Sequence, residues 1–503
     1  MKVLLIYPNF HGMNMVPPAI GLFTAILRND GHVVALFDTS NYKIPCQEDF
    51  DSDKEKEKNL YSRPFDGSIL DINLNQGDVF QDFLLKISTF QPALLAISCT
   101  EDTFPLAVSL LRKLPKERPK VIIGGVFATF APEKCLNIPQ IDMVCVGEGE
   151  GPLKEVCRLL DEGKSLDAVL NLWLKKADGI IIRNRLRPPT KLEENPLVDM
   201  SLIDDSRFYR PMQGKVWRML PVETHRGCPG TCTYCNSPSQ TDLYRSQTGC
   251  EFFRKKSAAA IYMELVYYRD ILKADSFYFW ADNFFAYGED DFRSFCEIYN
   301  KIRLPFWCQA RPEFITEERV RKLMDLGLFR MGFGIEHGNE EFRQKILKRR
   351  ISNKRMIEVF SLLNDLNLPF SVNNIIGFPT ETRELAFDTI EFNRLVKADS
   401  HNCYSFSPFH GTTLRKLAEN MGFCSPDTIA RSLTRPTVLN MPQFPPNEIE
   451  GIRRCFVLYV KLPKEDWSDI RRAEDLSMEG TAFWTKLREK CSKMLFQNQE
   501  SKS

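Results

Sequence analysis

The chain has 503 residues, 43% of them hydrophobic and 26% charged, with a formal net charge of +1. That length asks for two or three domains, the composition is that of an ordinary globular protein, and the near-zero charge gives no electrostatic basis for binding nucleic acid or an acidic membrane. No apolar run reaches the roughly 18 residues that span a bilayer, the opening MKVLLIYPNF lacks a cleavable signal pattern, and the 15 scattered cysteines show no disulfide spacing, which points to a reducing, cytoplasmic setting.

Residues 3–7 are a short apolar run and read as a buried strand. Pro17 and Pro18 precede a helix over 19–30 that ends at Gly31, and a strand over 33–37 follows, with Asp38 after it. The charged stretch 49–59 reads as a solvated loop. Then come a helix over 78–90, a strand over 94–98, a helix over 104–113, strands over 121–124 and 143–146, and a helix over 151–161. This alternation argues for a parallel sheet with helices on both faces, whose ligands sit outside the carboxyl ends of the strands. Those ends carry Pro8 and Asn9, Asp38, Ser98 with Thr100, Gly124 with Gly125, and Gly147-Glu148-Gly149-Glu150. Glycine there lets a ligand approach the backbone closely, although glycine after a strand is also common in plain turns. A hairpin over 171–174 and 179–183, and proline-bearing polar stretches at 187–189 and 193–205, read as a domain crossing.

A strand over 219–223 leads into Thr224-His225-Arg226-Gly227-Cys228-Pro229-Gly230-Thr231-Cys232-Thr233-Tyr234-Cys235. Pro229 and Gly230 argue against a regular element, so the C-x3-C-x2-C thiols share one loop. Zinc wants four ligands, usually as two C-x2-C pairs, and no second pair lies nearby. A four-iron cluster also wants four, so three thiolates leave one iron open to a substrate. The plainer alternative is a turn without metal. Beyond the loop, helices over 257–272, 290–302, 316–326, 340–347, 355–366 and 381–397 alternate with strands over 276–280, 305–309, 329–334, 371–376 and 401–406. With 219–224 that makes six strands, which fits an open six-stranded β/α barrel with its site at the C-terminal strand ends. Asp282, Asn283, Arg311, Glu336 and Gly377 stand at those ends, each with a bland counterpart as a helix cap, a loop charge or a turn. Past Gly422 there is no catalytic pattern. Residues 442–446 read as a linker, 447–461 and 481–495 as helices, and 497–503 as a disordered end. Phe423, Met441, Phe444, Phe456 and Tyr459 in this tail read mainly as core.

The cysteine loop, with Tyr234 before its last cysteine, resembles the cluster loop of radical S-adenosylmethionine (SAM) enzymes. FYFWADNFF, QARPEFI, GFGIEHGNEE and NIIGFPTET are similar to that family's successive strand-end motifs. Pro408-Phe409-His410-Gly411-Thr412 is a variant of its proline–glycine–threonine turn with Phe409 and His410 inserted, which carries the likeness over roughly 219–412. The ordered set YP, PPAIGL, GHVVALFD, ISCT, VIIGGVFATFAPE and IDMVCVGEGE resembles the cobalamin-binding domain at the N-terminus of many such enzymes. FVLYVKLPKEDWSDIRRAE resembles the helical C-terminal extension of the cobalamin-dependent members. The resemblance implies an α/β chain: a doubly wound, Rossmann-like cobalamin-binding domain (1–165), a linker (166–212), an open (β/α)6 radical SAM core (213–420) and a helical extension (421–503). It implies that Cys228, Cys232 and Cys235 hold a [4Fe–4S] cluster whose open iron takes the amino and carboxylate groups of SAM. Tyr234 lies beside it, Asp282 and Asn283 near the methionyl amino group, Arg311 at the carboxylate, Glu336 at the ribose and Gly377 at the adenine. Ser98, Thr100, Gly124, Gly125, Thr129, Glu148 and Gly149 are implied to lie near cobalamin. The cobalt-ligating D-x-H-x-x-G motif is absent, and His11 reads as a loop histidine.

The implied chemistry is reductive cleavage of SAM to methionine and a 5′-deoxyadenosyl radical, hydrogen abstraction from an unactivated carbon, and methyl transfer from methylcobalamin, which a second SAM regenerates. The expectation is an oxygen-sensitive C-methyltransferase of a small molecule, supplied with electrons by a reductant such as flavodoxin or ferredoxin. An alternative is a cobalamin-containing cyclase or oxidative rearrangement enzyme, since the anaerobic magnesium-protoporphyrin ester cyclase has a similar domain order. From another class, a non-catalytic cobalamin or iron–sulfur sensor or electron carrier would not need the strand-end motifs. A tRNA methylthiotransferase would want a second cysteine set and a basic tail, and Cys46, Cys99, Cys135, Cys145 and Cys157 do not form one.

Overall fold

The first apolar runs form the middle of a sheet in the computed structural model, which describes residues 1–12, 16–44, 52–64, 74–176 and 178–496. β1 (Lys2–Tyr7), β2 (Val33–Asp38), β3 (Leu94–Ser98), β4 (Lys120–Gly124) and β5 (Met143–Cys145) run parallel in the order β2-β1-β3-β4-β5. Helices cover both faces, so these strands carry unbroken apolar runs rather than an alternation. Val3, Leu4, Leu5 and Ile6 are all at most 1% exposed. Strand order reverses beside β1, which creates the crevice where such sheets bind ligands. The expected hairpin forms as β6 (Leu172–Lys175) and β7 (Ile181–Arg183), and it extends the sheet in antiparallel fashion. One expectation is corrected. Within the stretch read as a solvated loop, Ser52–Lys58 is a helix. Its Lys and Glu residues are strong helix formers, but they carry no apolar periodicity to announce it. Residues 49–51, like the expected disordered end at 497–503, lie outside the described residues.

The second sheet begins with β8 (Tyr209–Met212), antiparallel to β9 (Lys215–Glu223). β10 (His225–Arg226) and β11 (Arg254–Lys255) form a two-residue antiparallel ladder beside the cysteine loop. β12 (Ser276–Trp280), β13 (Phe306–Ala310), β14 (Leu328–Glu336), β15 (Phe370–Ile376) and β16 (Ser400–Ser405) continue the sheet in the order β16-β15-β14-β13-β12-β9-β8. Six strands are parallel, and β9 does not close onto β16, so the barrel is open. Side chains of Ser257, Thr316, Ser352, Thr382 and Thr412 each accept from the third backbone N–H onward, fixing where the intervening helices begin. The strand-end loops are thereby short and set.

The tail packs as the helices Pro446–Lys461, Trp467–Ala473 and Met478–Phe496. Phe423, Met441, Phe444, Phe456 and Tyr459 are all buried in one core with them. Helix Pro446–Lys461 lies against β16. The same edge is covered from the N-terminal half of the chain. Tyr61 Oη donates to the carbonyls of Cys403 (2.5 Å) and Arg453 (3.2 Å), and Ser400 Oγ donates to the Tyr61 carbonyl. An open sheet edge invites pairing with other chains, and this one is not left bare. Among the described residues no helix is long and apolar enough to cross a membrane.

Candidate functional site

Two adjoining cavities lie where the carboxyl ends of the two parallel sheets meet. The first, about 560 Å³, is walled by Tyr7, Gly125, Thr129 and Gly147 from one sheet and by Glu223, Lys256 and Trp280 from the other. The second, about 520 Å³, is walled by His225, Tyr234, Cys235, Ser237, Asp282 and Phe409. Gly147, Glu223, Arg226, Gln240 and Trp280 border both. A narrow slot of about 150 Å³ opens beside the first cavity, between the ends of the first sheet's strands, rimmed by Ser98, Gly124, Gly125 and Gly149.

The cysteine loop forms one side of the second cavity. Gly230 and Ser237 donate backbone N–H bonds to the thiols of Cys228 and Cys235, both at 3.4 Å. Arg311 Nη1 approaches Cys232 Sγ at 3.9 Å, and a side chain at Gly230 would run into that guanidinium. Burial pushes the Cys235 thiol up to about 12 and raises that of Cys228. Thiolates in such surroundings need a cationic partner. Among the described residues no three Cys, His, Asp or Glu side chains converge on a single ion. The three thiols share one eight-residue stretch and feel one another electrostatically.

The strand-end residues divide into two sets. Asp282 faces the second cavity, which exposes it to solvent, while the protein around it raises its carboxyl above the ordinary range. A cation beside it would restore the charge. Asn283 is 3% exposed; its Oδ1 accepts from the Arg311 N–H at 3.2 Å, and its Nδ2 is a buried donor without a partner. An orphan of that kind costs about 1–3 kcal/mol and marks a strained or functional position. Glu336 sits at a register shift between β14 and β15 with φ of 66°, a conformation costing about 1–3 kcal/mol outside glycine. Burial raises its carboxyl, opposed by Arg349, whose Nη1 is 3.1 Å away, and by Tyr234. Gly377 also has a positive φ, and its N–H donates to Glu381 Oε2 at 2.5 Å.

Sequence reasoning missed the residues that hold this set. Arg349, 2% exposed, bridges Glu336, the Gly334 carbonyl and Glu313, and Glu313 also accepts from Arg311. Burial alone would raise Glu313, but Arg349 and Arg311 outweigh it and bring the carboxyl below its usual value. Glu381, read as the first residue of a helix, instead folds back to the N–H groups of Gly377 and Phe378 and to His337 Nε2. The run Lys348-Arg349-Arg350 gives no sign that its middle residue turns inward.

Residues expected near cobalamin are placed unevenly. Gly125 has φ of 114°, and a Cβ there would collide with the Cys99 carbonyl oxygen. A Cβ at Gly149 would meet Phe23 at 3.0 Å. With Ser98 and Gly124, these glycines make a cradle of bare backbone around the narrow slot, where a ligand can approach the strand ends closely. Thr129 Oγ1 accepts from the Gly147 N–H at 3.0 Å and borders the first cavity. Thr100 donates to Asp102 at 2.5 Å and borders none of the three spaces. Glu148 is an internal tie: it binds Arg226 (2.7 Å), Arg254 and the Thr190 N–H (2.8 Å). Arg226 is gripped by three carboxylates, Glu148, Glu150 and Glu223. The first sheet's acidic loop is therefore fastened to the residue two places before the cysteine loop. A second tie comes from Glu101, which accepts from the backbone and ring of His410, the inserted histidine of the variant turn.

Comparison with known proteins agrees with this geometry. A profile of the radical SAM superfamily matches residues 222–392, and one of the B12 binding domain matches residues 60–157. An uncharacterized methyltransferase of Pyrococcus horikoshii is 25% identical over 406 residues, covering 78% of this chain and 83% of its own. The cytidylyl-2-hydroxyethylphosphonate methyltransferase of Streptomyces wedmorensis is 22% identical over 88% of this chain and 86% of its own. The solved structure of the radical S-adenosylmethionine methyltransferase TsrM from Kitasatospora setae, with cobalamin and a [4Fe-4S] cluster bound, shares the fold. Its TM-score is 0.61 at 12% identity, over 99% of both chains.

Proposed function

We propose, from the premise that this chain is a cobalamin-dependent radical SAM enzyme, that it methylates an unactivated carbon of a small molecule. When bound, the cluster supplies the electron that cleaves SAM, and cobalamin supplies the methyl group. Cys228, Cys232 and Cys235 hold the cluster, and Asp282 takes the methionyl ammonium. Arg311 takes the carboxylate, and Glu336, set by Arg349 and Tyr234, takes the ribose. The glycine cradle of Gly124, Gly125 and Gly149 receives cobalamin. The observation that carries the reading is the wall common to both cavities, formed by Gly147, Glu223, Arg226, Gln240 and Trp280. One substrate at that wall lies within reach of both cofactors, as proximity requires. The ties through Glu101 and Glu148 hold the two halves together around it.

The test uses anaerobically reconstituted protein and SAM labelled in its methyl group. Label in the product, with S-adenosylhomocysteine and 5′-deoxyadenosine both formed, is the expected result. Deoxyadenosine without the homocysteine product would favour a cyclase or rearrangement. SAM cleavage surviving Cys232→Ala would overturn the cluster site.

A further inference from the structure

Strand β12 buries its first four residues and exposes its last, Trp280. Residues two apart on a strand share a face, and the ring of Tyr278 lies 6.2 Å from that of Trp280. Tyr278 is itself stacked on Trp307 of β13, at 4.1 Å and 12°. The Trp280 indole is therefore backed by a packed aromatic pair, and at 38% exposure it is open toward the cavities it borders. Other exposed apolar side chains gather there. Leu197 and Met263 line the first cavity, and Leu433 lines the second. Exposed apolar groups of this size around a concave space mark a place for an apolar guest.

The charges on the wall common to both cavities are closed. Arg226 commits four of its five N–H groups: Nε and Nη2 to Glu223 at 2.9 and 3.0 Å, and Nη1 to Glu148 at 2.7 Å and Glu150 at 2.5 Å. Lys256, in the first cavity, is held by Glu264 at 2.6 Å. An anionic guest at this wall finds no free cation and faces three carboxylates instead. A cationic guest would have to draw a carboxylate away from Arg226 and leave that guanidinium short of partners. Gln240 is different. Its carboxamide borders both cavities, has no hydrogen-bond partner among the described residues, and offers a donor and an acceptor without charge.

We infer that the substrate is an uncharged molecule with a flat unsaturated ring, which stacks on Trp280 and is held at Gln240 through a hydroxyl, carbonyl or amide. The inference rests on the shared wall being the substrate's place, as proposed above. Stacking fixes the plane of the guest, and the bond to Gln240 fixes its rotation within that plane. Together they set which carbon is turned toward the reacting groups, the kind of positioning on which a reaction between held partners depends. Trp280 and Gln240 are thus the specificity-determining residues of the wall, and no phosphate or carboxylate of the substrate lies against it.

The experiment is equilibrium dialysis of the full-length protein, with and without its cluster and cobalamin, against naphthol, which is flat, uncharged at neutral pH and carries one hydroxyl. Naphthoate and naphthylmethylamine are its anionic and cationic counterparts, and naphthalene lacks the polar group. Naphthol is expected to bind at least about tenfold more tightly than either charged probe. Trp280→Ala should weaken it about tenfold, and Trp280→Phe should keep most of the affinity. Gln240→Ala should erase the difference between naphthol and naphthalene, a readout that stands even where Trp280→Ala does not fold. Tighter binding of a charged probe, equal binding of naphthol by Trp280→Ala and wild type, or a naphthol advantage that survives Gln240→Ala would overturn the inference. So would loss of naphthol when cobalamin is loaded, because Trp280 would then belong to the corrin. Dialysis needs no turnover, so the two readings fail separately. Naphthol bound as expected, with no label passing from SAM to product, would remove the methylation and leave the ring site standing.

Discussion

Glu101 and His410 stand 309 residues apart and meet through two hydrogen bonds, from the histidine backbone N–H at 2.8 Å and from its Nδ1 at 2.7 Å. The carboxylate also accepts from the Ala430 N–H at 2.7 Å and lies 3.5 Å from Arg415. At 3% side-chain exposure it is a buried charge whose partners all come from the other half of the molecule. Removing one member of such a set strands the others. Glu101→Ala is expected to cost about 3–5 kcal/mol, and Glu101→Gln less, read from the midpoints of urea unfolding.

Gly125 offers a sharper test of the cradle. Gly125→Ala places a Cβ against the Cys99 carbonyl at φ of 114°. The expected result is a stability loss of about 1–3 kcal/mol and failure to retain cobalamin through gel filtration, read from its visible absorbance. Gly163→Ala is the control, because Gly163 has φ of 63° and nothing within 4 Å. It should cost about 1 kcal/mol at most and keep cobalamin.

Glu336→Gln keeps the size of the side chain and removes its charge. A hydrogen bond to a charged group contributes about 1.5–3 kcal/mol, so SAM should bind about tenfold more weakly or worse by calorimetry. Arg349 keeps Glu313 and the Gly334 carbonyl, so the fold should survive.

Two buried histidines set a pH dependence. Burial, helped by Lys255, lowers His225 to about 4, and burial with Lys461 lowers His401 well below its usual value. Both stay neutral in the folded protein while the unfolded chain takes up protons below about pH 6.5. The unfolded state then binds more protons, so this stability is complete above pH 6.5 and is lost as the pH falls toward 4. For His225 the loss reaches about 3 kcal/mol at the lower limit. Urea unfolding at pH 7 and pH 5 should show the fall, and His225→Gln with His401→Gln should flatten it.

What was legible in the sequence follows from what is local. β1, β3 and β4 are buried on both faces, so unbroken apolar runs announced them. The cysteine loop was legible because three cysteines, a proline and a glycine fall within eight residues. Helix Ser237–Thr248, directly after that loop, went unread because only Ser237 and Tyr244 are buried in it and no apolar stripe forms. Helix Ser52–Lys58 was misread for a similar reason. The ties between the halves could not be read at all. Glu148 and Arg226 are 78 residues apart, and nothing in GEGE distinguishes a carboxylate that binds a ligand from one that binds a distant arginine. Arg349 was hidden inside a basic run whose neighbours face water.

The strap at Tyr61 bears on how the chain is made. A ribosome delivers residues 59–63 long before β16, so the cover exists before the edge it protects. A fragment carrying only the barrel would emerge with β16 bare, and its carbonyl at Cys403 would lack the tyrosine hydroxyl that meets it here. Such a fragment should cling to other copies of itself through that strand, while the intact chain, having brought its own partner, stays apart from its neighbours during synthesis.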